Sequence, residues 1–130
     1  MPGPSAASAA LIAFAATTAV ACTQLGLRTP PTPLQELAGR TPGAPQSCVV
    51  IQRSEPLRLG AERTILYGRG RTVWVNRVGP DCAGIRRQDI LIAEPLGARY
   101  CRGDRLRSLD PVSRTAGPGC LLSDFIPYRR

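Results

Sequence analysis

The chain has 130 residues and a formal net charge of +8, from 17 basic and 9 acidic residues, and every basic residue is an arginine. With no histidine there is no base for a serine triad, and with no lysine there is no amine for Schiff-base chemistry, which closes the commonest nucleophilic mechanisms. A chain this short implies one domain with a thin core, the kind that leans on disulfides, metals or partners for stability.

Residues 6–21 carry no charge and are rich in alanine, with Leu11, Ile12, Phe14 and Val20 among them. They are too short and too alanine-rich for a comfortable membrane span, which takes roughly 20 predominantly apolar residues. They fit the apolar part of a signal peptide over residues 1–21, closing on Ala19-Val20-Ala21, the small-x-small pattern that leader peptidases cut after. The next residue is Cys22, and the box Ala19-Val20-Ala21-Cys22 resembles a lipoprotein signal, in which the cysteine is lipidated and becomes N-terminal. It departs from that pattern at Ala19, where leucine is usual, and in the uncharged Met1-Pro2-Gly3-Pro4-Ser5. The alternatives are a plain cleaved signal that leaves Cys22 as a thiol, and an alanine-rich buried helix. Cysteine parity favours lipidation. Five cysteines in an oxidising compartment leave one unpaired, and modification of Cys22 removes the odd one. Thr23, standing where an Asp would retain a lipoprotein in the inner membrane, implies by analogy an outer-membrane anchor held by several acyl chains.

Residues 22–46 carry five prolines, Pro30, Pro31, Pro33, Pro42 and Pro45, and read as the lipidation site followed by a semi-stiff spacer. A brief helical turn at Leu34-Gln35-Glu36-Leu37-Ala38 would end at Gly39. From residue 47 to residue 130 the pattern changes to short apolar runs broken by Gly, Pro and charge. Residues 63–67 and 71–78, separated by Gly68-Arg69-Gly70, predict a β-hairpin with Val73 and Val75 on one face and Trp74 on the other. Trp74 is read as a core residue of a curling sheet rather than a ligand platform. Residues 89–94, 98–101 and 105–109 predict further strands, and residues 110–119 a loop. Residues 120–126 suit either a helix, by the spacing of Leu122, Phe125 and Ile126, or a strand. The fold class expected is mainly β: a small antiparallel sheet or partly closed barrel of five to six short strands, with two disulfides and a short helix.

Cys48, Cys82, Cys101 and Cys120 form no C-x-x-C pair, which argues against zinc and thioredoxin-like redox chemistry and for two structural disulfides. Sequence leaves three pairings open; Cys48 with Cys120, tying the ends, and Cys82 with Cys101 are favoured. Arg69 and Arg71 flank the hairpin turn, Arg99, Arg102, Arg105 and Arg107 crowd one stretch, and together they are the candidate anion-binding residues. Against this, a GC-rich coding sequence also yields arginine, and these side chains have Glu55, Glu62, Asp81, Asp89, Glu94, Asp104 and Asp124 to pair with on a solvated surface.

The domain resembles a family of small proteobacterial envelope proteins of uncharacterised function. The resemblance runs over residues 47–126 through Cys48-Val49-Val50-Ile51, Thr64-Ile65-Leu66-Tyr67, Gly79-Pro80-Asp81-Cys82-Ala83-Gly84, Tyr100-Cys101-Arg102-Gly103-Asp104 and Gly119-Cys120-Leu121-Leu122. It implies export and paired cysteines and no activity, with Asp104 as a turn residue capping the cysteine-bearing strand. The expectation is therefore a periplasmic, non-enzymatic binding or structural module with no cofactor and no metal. Its partner would be an anionic envelope component: lipopolysaccharide, a lipid headgroup or a glycan. Nucleic acid is disfavoured, since aromatics for base stacking are few. The alternatives are an inhibitor-like or stress-related module and a carboxylate-dependent cell-wall hydrolase.

Overall fold

A computed structural model describes Gly3, residues 33–61 and residues 63–130. The expected signal peptide (Gly3 apart), Cys22 and the spacer up to residue 32 lie outside the described residues, as does Glu62. In chain order the elements are α1 (Pro33–Leu37), β1 (Thr41–Pro42), β2 (Cys48–Val50), β3 (Arg58–Leu59), β4 (Thr64–Tyr67), β5 (Thr72–Arg77), a 3-10 turn (Pro80–Cys82), β6 (Ile90–Glu94), β7 (Arg99–Cys101), β8 (Arg105–Leu109), β9 (Ala116–Leu121) and β10 (Phe125–Arg129). The protein is mainly β, built of antiparallel sheets that do not close into a barrel.

The hairpin expected from the sequence organises the largest sheet. Gly68 and Gly70 take φ values of +78° and +74°, a region open to glycine without a Cβ penalty. The chain therefore reverses there and sets Tyr67 opposite Trp74 and Thr64 opposite Arg77. β5 becomes the centre of a five-stranded sheet ordered β1-β10-β5-β4-β3. Strand alternation puts Val73 and Val75 on one face, where Leu66, Tyr128 and Leu37 of α1 cover them. The other face presents Ile65, Tyr67 and Phe125 to the main core, where they meet Val49 of β2, Leu106 of β8 and Cys120 of β9. Trp74 packs against this main core and is half-buried, on the face opposite the valines as expected.

A second sheet, ordered β6-β8-β9, contributes the remaining wall of the core. Its inner face carries Leu91, Ala93, Leu106 and Cys120. β9 replaces the latter half of the loop expected over 110–119. Its Ala-Gly-Pro-Gly-Cys-Leu sequence has almost no strand propensity, yet it is an edge strand, where a proline is tolerated because one side needs no ladder bond. Residues 120–126 divide between the end of β9 and the start of β10, so the strand reading holds and the helical one falls.

Residues 33–46, read from their prolines as spacer, belong to the folded unit. Glu36 of α1 receives both terminal nitrogens of Arg58, at 3.1 and 2.8 Å, and α1 gives way to Gly39 at φ +69°. β1 pairs with β10, setting Thr41 against Arg129 and Pro42 against Tyr128. The Gly43 amide donates to the Pro127 carbonyl at 2.7 Å. Proline density excludes central strands but suits such an edge.

The disulfides correct the favoured pairing: the bonds are Cys48–Cys101 and Cys82–Cys120, not Cys48–Cys120 and Cys82–Cys101. Cys48 and Cys101 stand directly opposite each other in the two-stranded β2-β7 ribbon. Cys82 sits in the 3-10 turn that packs on β9, beside Cys120. The ends of the domain are tied by β1-β10 pairing instead.

Candidate anion-binding site

The six candidate arginines do not form one face. The β2-β7 ribbon decides the position of the most informative one. Val50 lies opposite Arg99 and Cys48 opposite Cys101, so alternation sends all four side chains to the same side of the ribbon. Val49 and Tyr100 point the other way, into the core. A groove of about 530 Å³ opens beside the ribbon, lined by Cys48, Val49, Val50 and Arg99 from the ribbon and by Tyr67, Gly68, Arg69, Arg71, Thr72 and Trp74 from the hairpin, with Gln46 and Gln52 also in its lining. Its volume lies within the range of about 300 to 1,000 Å³ usual for small-ligand sites.

Tyr67 fixes the two walls relative to each other. Its hydroxyl donates to the Val50 carbonyl at 3.0 Å and accepts from the Gln52 amide at 2.6 Å. The ring meets Tyr100 edge-on at 5.3 Å. Both polar capacities of a phenol are used, so the β2 segment is held against β4 by a buried side chain.

Charge in the groove is partly compensated. Arg69 Nε lies 3.3 Å from Glu55, whereas Arg71 and Arg99 have no carboxylate partner among the described residues. Among the described residues no carboxylate lines the groove. The side-chain amides of Gln46 and Gln52 make no hydrogen bond among the described residues, and both residues are exposed.

The other three arginines lie elsewhere. Arg102 pairs with Asp124 at 3.1 Å. Arg105 and Arg107 stand on the outer face of the second sheet, where Arg107 pairs with Glu94 and the exposed Ile90, Ile92 and Leu121 share the surface. Pairing with carboxylates thus accounts for Arg69, Arg86, Arg102 and Arg107 through Glu55, Asp89, Asp124 and Glu94 as expected, while Asp110, not among the expected acids, joins the buried Asp89 on Arg86. Asp104 accepts the Cys101 amide at 2.7 Å, the turn-capping arrangement that the family resemblance implies.

Two smaller cavities hold one carboxylate each, Asp81 beside Arg105 and Arg107, and Asp104 beside Arg99 and Arg102. Among the described residues no three His, Cys, Asp or Glu side chains are grouped to hold a metal ion. Sequence reading singled out Arg69, Arg71 and Arg99 but not Val50, Gln46 or Gln52, and it set Trp74 in the core; the signal it lacked was the Cys48–Cys101 register that lays the ribbon along the hairpin. No family model matches the chain, and no match is found among curated proteins or solved structures.

Proposed function

We propose that this protein is a non-catalytic binding module of the bacterial envelope that holds an anionic ligand in the groove between hairpin and ribbon. The observation that carries this reading is the convergence of Arg71 and Arg99, from distant parts of the chain, on a cavity that no carboxylate lines among the described residues. A guanidinium pair with no counter-ion among the described residues is an anion site by simple electrostatics, because each planar fork can take a carboxylate or phosphate edge through two hydrogen bonds. The same feature weighs against a two-carboxylate hydrolase, which needs facing acids across its cleft. Two disulfides agree with an oxidising, extracytoplasmic location. On this reading the chain arrives there as a lipoprotein acylated at Cys22, and the ligand is lipopolysaccharide, a lipid headgroup or a glycan.

The test is retention of the oxidised full chain on immobilised lipopolysaccharide and on anionic vesicles across a salt series. Retention should fall with salt, and the Arg71→Ala/Arg99→Ala variant should lose most of it while Arg105→Ala/Arg107→Ala keeps it. Equal loss in both variants would reduce the effect to net charge, and retention indifferent to either would end the proposal. Intact mass of the native protein tests the anchor: a chain that begins at Cys22 with added acyl groups is expected, and an unprocessed chain would remove it.

A further inference from the structure

We infer that the ligand of this groove is an acidic saccharide, one sugar ring lying against Trp74 and its carboxylate or phosphate held between Arg71 and Arg99; the inference rests on the anion-binding reading above. A site for a bare anion needs only the guanidinium groups. This groove adds three features that a bare anion does not use.

The first is Trp74. Its indole is half-buried, packed on the main core and at the same time part of the groove lining. A Cβ added at Gly68 would meet the indole Cδ1 at 3.5 Å, so the turn glycine lies beside the ring, and it is the packing on the core that holds the ring in place. A fixed aromatic surface beside cationic groups favours a ring with apolar C–H faces and polar edges. The second is the pair of exposed amides on Gln46 and Gln52, each offering two donors and an acceptor, the pattern that matches vicinal hydroxyls. The third is the shape of the site. A membrane surface calls for a broad basic patch, whereas Arg71 and Arg99 line a concave site of about 530 Å³ whose two walls are tied by the Tyr67 hydroxyl and whose ribbon wall is cross-linked by the Cys48–Cys101 disulfide. A pre-formed concave site takes a unit of ligand rather than a plane.

Two kinds of envelope sugar carry that chemistry, uronates with a ring carboxylate and phosphorylated hexosamines. The experiment separates them. Trp74 is the only tryptophan in the chain, so emission from the oxidised full-length protein reports directly on the groove. It is titrated with oligogalacturonate, glucosamine phosphate, a neutral galactose oligomer, inorganic phosphate and phosphatidylglycerol vesicles. A saturable change in emission is expected with one or both acidic sugars, at affinities about tenfold or more above the neutral oligomer and inorganic phosphate. Arg99→Ala, an exposed side chain without an ion pair among the described residues, should weaken that binding about tenfold by calorimetry and leave the fold intact. Trp74→Leu should weaken it comparably, and Trp74→Phe, which keeps a ring against the core, should fall between.

Binding of inorganic phosphate or vesicles as tight as that of the sugars, dependent on Arg71 and Arg99 but unchanged in Trp74→Phe and Trp74→Leu, overturns the saccharide inference and leaves the anion reading standing. Equal binding of neutral and acidic oligomers overturns the acidic requirement and the anion reading with it. No binding of any probe overturns both.

Discussion

Asn76 and Ser123 are joined by a reciprocal pair of hydrogen bonds: Asn76 Nδ2 donates to the Ser123 carbonyl at 2.6 Å, and the Ser123 amide donates to Asn76 Oδ1 at 2.9 Å. Asn76 has no exposed surface and lies in β5 opposite Phe125. Its amide therefore takes the role of a strand partner at the corner between β9 and β10, where no ladder reaches. Asn76→Ala should leave both main-chain groups without that partner and cost about 2 to 6 kcal/mol, from about 1 to 3 kcal/mol for each of the two unsatisfied groups. Denaturant unfolding measures it, and a cost below about 0.5 kcal/mol would mean that water replaces the pair.

The disulfide connectivity is directly checkable, because the chain is cut by trypsin on both sides of each domain cysteine. A digest without reduction should yield residues 41–53 linked to 100–102, and residues 78–86 linked to 115–129. Recovery of 41–53 linked to 115–129 would restore the end-to-end pairing and dismantle the β2-β7 ribbon.

Removal of each bridge should have a different consequence. Loop closure scarcely separates them, since sequence separations of 53 and 38 differ by only about 0.3 kcal/mol in closure entropy. Burial does, with Cys82 and Cys120 in the core and Cys48 and Cys101 half-buried. Cys82→Ala/Cys120→Ala should therefore cost more than the roughly 2 to 4 kcal/mol of a typical bridge, having lost core packing as well. Cys48→Ala/Cys101→Ala should cost less in stability yet weaken anion binding, because that bridge holds the strand that carries Arg99. Matched thermal melts and binding titrations on the two variants would reverse this ranking if the ribbon were held by its strands alone.

Asp110 organises the turn after β8. Its Oδ1 accepts the amides of Val112 and Ser113, both at 2.8 Å, and its Oδ2 meets Arg86. These bonds hold its carboxyl down at about 2, below the ordinary value of 3.8. A carboxyl depressed in the folded state stabilises the fold fully above its unfolded value, and that contribution fades as pH falls from about 3.8 through about 2. Amide exchange in residues 112–115 should accelerate over that window relative to the rest of the chain. Asp110→Asn keeps an Oδ1 acceptor and loses the charge, so its turn should show no such acid step; the same step in the variant would assign it to another group.

The hairpin was legible in the sequence because two local signals agree there, alternation along β5 and glycines at the positive-φ positions. Pairing of the cysteines was legible as a number but not as a connectivity, since which strands lie side by side is a property of topology. The same reason hid the groove. Arg71 stands out at a turn and Arg99 in a basic stretch, but only the register Cys48 to Cys101 and Val50 to Arg99 brings them to one cavity. Proline density misled over residues 33–46, where edge pairing with β10 and the Glu36–Arg58 pair anchor a segment that has no periodicity of its own.

β9 is the clearest case of a strand made by its neighbour, and it supports a sharp substitution test. Ser108 on β8 is 1% exposed and donates from Oγ to the Pro118 carbonyl at 3.2 Å. That geometry works only because Gly117 lacks a side chain: a Cβ there would overlap Ser108 Oγ and lie 3.6 Å from its Cβ. Gly117 has no positive φ, so the requirement is close approach rather than backbone conformation. Gly117→Ala should therefore cost about 1 to 3 kcal/mol by overpacking, as Ser108 cannot rotate away without breaking its bond to β9. Ser108→Ala should cost less, about 1 kcal/mol for the hydrogen bond. In the double variant the clash disappears with the hydroxyl, so Gly117→Ala should be nearly neutral on the Ser108→Ala background. That non-additivity is the signature of direct contact. Additive losses would mean instead that β9 relaxes as a whole, and that the second sheet is set by the Cys82–Cys120 bond rather than by the fit of Ser108 against Gly117.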